Sequence, residues 1–107
     1  MLAEGKYLFV SGQVANDPKT GSFVTGSFEQ QATITFENVQ AVLEAGGASW
    51  SDVISVRVFL DDRKYFDEMN EIYKRYLKEP YPTRTTLVVG LPREGMLIEI
   101  DCIALVP

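Results

Sequence analysis

Arg84 and Glu99 are residues whose types and neighbourhood could act on a small organic acid. An arginine fork holds a carboxylate through two parallel hydrogen bonds, and a nearby carboxylate can position and deprotonate water. Both lie in the last quarter of the chain, Pro80 to Val106. There two β-rich runs, Thr85 to Val89 and Met96 to Val106, flank a join punctuated by Gly90, Pro92 and Gly95. The pattern reads as an antiparallel hairpin. With its turn centred between Pro92 and Arg93, Arg84 faces Asp101 and Thr86 faces Glu99. One face then holds Thr85, Leu87, Val89, Ile98, Ile100, Cys102 and Ala104, nearly all apolar. The other holds Arg84, Thr86, Val88, Leu97, Glu99, Asp101 and Ile103. On that face Arg84 and Glu99 would be diagonal neighbours, roughly 7–8 Å apart at the backbone.

Two readings fit such a mixed face. One is a solvated or interfacial surface with a structural ion pair, ordinary for an antiparallel sheet. The other is a carboxylate-binding arginine beside a water-positioning carboxylate. The pattern does not choose between them.

Composition removes several chemistries. The 107 residues contain no histidine, which excludes Ser-His-Asp and Cys-His catalysis and nearly all zinc sites. A general base must be Asp, Glu, Lys, Tyr or a terminus. The net charge of −5 argues against a surface that tracks phosphates, so nucleic acid is not an expected partner. No apolar run approaches the ~20 residues of a membrane helix, and no signal peptide is visible at the N-terminus. The single Cys102 allows no intrachain disulfide and reads as a buried structural thiol. A single domain over 1–107 and a cytoplasmic location are expected.

The elements that must position Arg84 and Glu99 follow from periodicity. A strand is predicted from about Lys6 to Gln13, with Gly12 marking a bulge or a close backbone approach. Asn16 to Gly21 is a turn cluster, and Ser22 to Thr25 a brief extended piece. Ser27 and Gln30 form a capping-box signature, and Phe28, Ala32, Thr35, Val39, Val42 and Leu43 recur at helical spacing until Ala45-Gly46-Gly47. Gln31 and Asn38 share one side as surface or packing polar groups. Val53 to Leu60 alternates as a strand, with Ile54, Val56, Val58 and Leu60 on one face and Val53, Ser55, Arg57 and Phe59 on the other. Asp61-Asp62 opens a second helix whose stripe is Phe66, Met69, Asn70, Tyr73, Tyr76 and Leu77. Pro80 and Pro82 end it. Two helices and one mainly antiparallel sheet make an α+β domain with both helices on one face. The other sheet face is rich in apolar side chains and predicts a closed homo-oligomer.

Several short motifs occur in a specific order: Val-Ser-Gly-Gln (10–13), Thr-Gly (20–21), Ala-Gly-Gly (45–47), Asn-Glu-Ile-Tyr (70–73), Tyr-Pro-Thr-Arg (81–84), Leu-Pro (91–92) and Ile-Glu-Ile-Asp-Cys-Ile-Ala (98–104). Over almost the whole chain they resemble the YjgF/RidA family of reactive imine/enamine deaminases. The resemblance implies a chorismate-mutase-like (YjgF-type) α+β fold and a homotrimer with inward-facing sheets and three clefts between subunits. It implies hydrolysis of 2-imino or 2-enamino acids to 2-keto acids and ammonia, with no cofactor and no metal. Arg84, in Pro-Thr-Arg where relatives have Pro-Ala-Arg, corresponds to the arginine that binds the substrate carboxylate. Glu99 corresponds to the glutamate of Ile-Glu-Ile, Asn70 to the asparagine before the second helix's tyrosine, and Gly12 to the glycine of Ser-Gly-Gln. Thr86 stands two beyond the arginine, often cysteine in relatives, where the backbone contacts ligand.

Relatives commonly begin with a segment resembling Gly-Pro-Tyr-Ser-Gln-Ala, whose tyrosine lines the cleft. This chain starts Met1-Leu-Ala-Glu-Gly just before the Tyr7 strand. The comparison implies a sheet short of one edge strand and a cleft short of one wall. Two other functions remain in view. One is a non-catalytic module binding keto acids or other small carboxylates. The other is the endoribonuclease or translation-inhibitor role attached to some relatives, which the acidic charge and absent histidine disfavour.

Overall fold

The computed structural model describes residues 1–107. It contains β1 (Lys6–Gln13), α1 (Phe28–Ala45), β2 (Val53–Leu60), α2 (Phe66–Tyr76), β3 (Thr83–Val88) and β4 (Ile98–Val106). One four-stranded sheet has the order β1-β4-β2-β3, with both helices on one face. β4 runs antiparallel to β1 and to β2, whereas β3 runs parallel to β2 at the sheet edge.

Local chemistry explains the helices. The Ser27 hydroxyl accepts from the Gln30 backbone N–H, and the Gln30 side chain accepts from the Ser27 N–H, so the capping box is complete. At the other end Gly46 caps α1, and Gly47 takes φ +84°, a conformation glycine adopts without strain. α2 follows a short 3₁₀ turn, Arg63–Tyr65, whose Asp62 cap accepts from the Lys64 N–H. The buried stripe of α1 includes Phe28, Ala32, Phe36, Val39 and Leu43. It packs with Met69, Ile72 and Tyr73 of α2 onto Val56, Val58, Leu60, Ile98, Ile100, Cys102 and Ala104 of the sheet.

Two polar residues of α1 are structural fasteners. Gln31, 1% exposed, donates to the Gly95 carbonyl at 2.8 Å and accepts from the Leu97 N–H at 3.0 Å. Asn38 donates to the Val14 and Asn16 carbonyls at 3.0 and 2.8 Å. Together they pin the loop before β4 and the segment after β1 to one helix.

Three local expectations are corrected. The Pro80–Val106 segment is not a hairpin: β2 lies between β3 and β4. Asp101 faces Arg57 rather than Arg84, and Glu99 faces Phe59 rather than Thr86. The connection from β2 through α2 to β3 is a crossover, which returns the chain parallel to β2 instead of folding it back on a tight turn. The extended piece at 22–25 reduces to a single bridge between Asn16 and Phe23. Val53 joins the helix-covered face, because the register between β2 and β4 shifts between Val53 and Ser55.

Candidate functional site

Arg84 projects under α2. Paired residues in a parallel ladder share a face, and Arg84 pairs with buried Val56, so its side chain lies on the helix-covered side. Its guanidinium carbon sits 4.8 Å from the Tyr73 ring centroid and 6.0 Å from that of Phe66. Such distances are attractive for a cation over an aromatic face. None of the chain's three ion pairs involves Arg84, so its hydrogen-bond donors are free for a ligand. Asn70, Tyr73, Lys74, Tyr81 and Pro82 complete a concavity of ≈ 360 Å³ around it. Asn70, Tyr73 and Lys74 reach it together because residues three and four apart share a helix side. The expectation singled out Asn70 but read Tyr73 as packing only; its spacing from Asn70 was the available signal.

The Tyr73 hydroxyl is buried without a hydrogen-bond partner. Burial pushes this phenol above its ordinary pKa, opposed by the Arg84 charge and aided by Tyr81. It therefore remains protonated at neutral pH and able to donate. Thr86, opposite Val58 in the parallel register, lies on the same face as Arg84, and its hydroxyl is also buried and unpartnered.

Glu99 stands elsewhere. In β4 it alternates with buried Ile98 and Ile100, so it projects from the open sheet face. Gly12 approaches it there. The β1–β4 register shifts between Val10 and Gln13, and a Cβ on Gly12 would overlap the Glu99 carboxylate. The expected bulge and close approach at Gly12 are thus both present. Glu99 has no ion pair within the chain. Arg84, Asn70 and Thr86 therefore cluster on one side of the sheet, and Glu99 and Gly12 on the other. The expected diagonal contact between Arg84 and Glu99 does not form within one chain.

The open face carries Tyr7, Phe9 and Leu87 as exposed apolar residues, Phe9 being 71% exposed. Ile103 and Leu105 join them as the β4 partners of Phe9 and Tyr7. At its centre Arg57 and Asp101 form a bidentate ion pair with contacts of 2.9 and 2.6 Å. Asp101 thus satisfies Arg57. Cys102 is buried beneath, and burial together with the Asp101 charge pushes its thiol up to about 12.

The family model described as Endoribonuclease L-PSP matches residues 1–106. The chain belongs to this family, also called YjgF/RidA. A member from Pyrococcus horikoshii, named a RutC family protein, is 44% identical, the match covering 96% of this chain and 82% of that one. The human 2-iminobutanoate/2-iminopropanoate deaminase is 34% identical over 92% of this chain and 72% of its own. Among solved structures, RidA from the Antarctic bacterium Psychrobacter sp. superposes with a TM-score of 0.87 at 38% identity, covering 98% of this chain and 85% of that one. The YjgF-type α+β architecture is thus shared: two helices on one face of a mixed four-stranded sheet.

Proposed function

We propose that this protein hydrolyses short 2-imino or 2-enamino acids to 2-keto acids and ammonia. The observation that carries the reading is the unpaired Arg84 guanidinium, held against the rings of Tyr73 and Phe66 in a concavity. A planar cation with free donors, restrained by packing, suits a carboxylate attached to the reacting carbon. The human relative named for this activity supports the reaction class.

In this reading the substrate carboxylate binds Arg84, and Asn70 and the backbone at Thr86 orient the rest. Glu99 holds a water and takes its proton as the water oxygen bonds to the imine carbon, while the C=N π pair moves to nitrogen and that nitrogen takes up a proton. The resulting carbinolamine loses its amino group as ammonia, the nitrogen gaining a proton as the C–N bond breaks and the C=O bond forms. No electron is gained or lost. Gly12 leaves room for the Glu99 carboxylate beside the β1 backbone. Because Arg84 and Glu99 project from opposite faces of one sheet, the Glu99 that serves a given Arg84 comes from a second copy. A homotrimer with clefts between subunits meets this requirement, and it would cover the apolar open face. The reading includes a cytoplasmic location.

The test is a coupled assay in which threonine dehydratase generates 2-iminobutanoate and semicarbazide traps it. Added protein should suppress semicarbazone formation, and folded Arg84→Ala should not. Suppression undiminished in Arg84→Ala would overturn the assignment.

A second reading, a module that binds small carboxylates without turnover, is favoured by one observation. The lining of the Arg84 concavity contains no carboxylate base within its own chain. Calorimetric binding of keto acids without ammonia release would select it.

A further inference from the structure

Arg84 shares its concavity with a second cation. Lys74, one helical turn beyond Asn70, also lines it. No carboxylate of the same chain is among the lining residues, although the whole chain carries a net charge of −5. The ion pair of Lys74 is with Glu71 at 3.5 Å, and both side chains are largely in water. A pair of that kind holds weakly and leaves the ammonium free to meet an incoming anion.

The Tyr73 hydroxyl is an independent observation pointing the same way. Tyr73 is 5% exposed, lines the concavity, and has no hydrogen-bond partner for its hydroxyl. A buried hydroxyl left unpaired carries a desolvation cost that a ligand oxygen would relieve. The site therefore offers more recognition than a single carboxylate on a short apolar chain can use. Arg84 is sufficient for that carboxylate, leaving Lys74 and the Tyr73 hydroxyl to act on something else.

We infer that the ligands this site prefers are dicarboxylic: a short 2-imino acid, and its 2-keto product, with the first carboxylate on Arg84 and the second on Lys74 and the Tyr73 hydroxyl. The inference rests on Arg84 as the carboxylate anchor of the proposed reaction. A concavity of ≈ 360 Å³ is at the small end of ligand pockets and accommodates such an acid. The reaction class that supplies this substrate is two-electron oxidation of an acidic amino acid, in which the Cα hydrogen leaves as hydride to a flavin or nicotinamide acceptor and the amine loses a proton, leaving the imine with both carboxylates in place.

Calorimetry with two stable keto acids tests it. Wild type should bind 2-oxoglutarate about tenfold more tightly than 2-oxobutanoate, the gain expected of one charge-assisted contact. Lys74→Met should abolish that margin, Lys74→Arg should keep it, and Tyr73→Phe should reduce it. Raising the salt concentration should narrow it in wild type. Equal affinities in wild type, binding of neither acid, or an unchanged margin in Lys74→Met or Tyr73→Phe overturns the inference. Because keto acids bind without turnover, the result is separate from the imine assay. A protein selective for 2-oxoglutarate yet silent in the semicarbazide assay would overturn the catalytic reading and retain this one.

Discussion

Arg84 and Glu99 project from opposite faces of the same sheet, two strands apart. Arg84 is level with Val56 of β2, and Glu99 is level with Phe59 on its other side. Two strand spacings of about 4.8 Å separate their backbones, and their opposite facing puts the sheet between the two side chains. A reaction that needs both residues must therefore take them from different copies.

That geometry predicts complementation. Arg84→Ala and Glu99→Gln should each reduce imine hydrolysis by about a hundredfold while leaving the circular dichroism spectrum unchanged. Co-refolding the two inactive variants in equal amounts should restore about a quarter of wild-type turnover, since a working site draws Arg84 from one variant and Glu99 from the other. Mixtures that stay as inactive as the parents would show that the two residues do not serve one site across an interface.

Gly12→Ala probes the Glu99 side alone. The backbone at Gly12 is not in the left-handed region, so alanine adds no backbone strain there. Its methyl would instead displace the Glu99 carboxylate. Turnover should fall by about tenfold with a stability change within about 1 kcal/mol. Chemical denaturation and the semicarbazide assay, run on the same sample, separate the two effects.

Gln31→Leu should act in the opposite way, on stability rather than on the reacting atoms. It would strip partners from the Gly95 carbonyl and the Leu97 N–H, both in partly buried hydrogen bonds, against a fully buried Gln31 side chain. The expected loss is about 1–3 kcal/mol, because two partly buried polar groups lose their hydrogen bonds at once. A urea unfolding curve gives the value, and a loss below about 1 kcal/mol would mean that the loop finds other partners.

Cys102 gives a pH dependence with a defined sign. Its thiol titrates at about 12 in the fold against a reference of 9.0. A raised thiol pKa favours the neutral form, so its contribution is intact below about 9 and is lost as pH rises toward about 12. Tyr73 and Tyr76 are also raised and overlap this window. Comparison with Cys102→Ala isolates the thiol: the variant should show a shallower alkaline loss of stability than wild type. Native Cys102 should also react far more slowly with iodoacetamide at neutral pH than the unfolded chain does.

Much of the molecule was legible in order of sequence because the forces involved are local. Ser27, Gln30 and the glycines at 46–47 bound α1 through contacts a few residues long. Alternation in β4 already assigns Ile98, Ile100 and Cys102 to the buried side. The bulge and close approach at Gly12 follow from a glycine inside a strand pattern. The motifs from Val10 to Ala104 sufficed to indicate the family.

Strand neighbours were not legible. Alternation says which residues of a strand share a face, but not which strand lies alongside or in which direction. The apolar look of Thr85, Leu87 and Val89 favoured a hairpin with β4, yet Leu87 faces outward with Phe59 and Arg84 faces inward with Val56. The deciding contacts are long-range: α2 carries the chain across β2, and its Phe66 and Tyr73 rings accommodate a guanidinium where the pattern asked for an apolar residue. Local pattern was enough for the elements, their caps and the chemical inventory of Arg84, Glu99, Asn70, Thr86 and Gly12. Their division between the two sides of a sheet came from the assembled fold, because the face a strand presents depends on its pairing partner and on what packs above it.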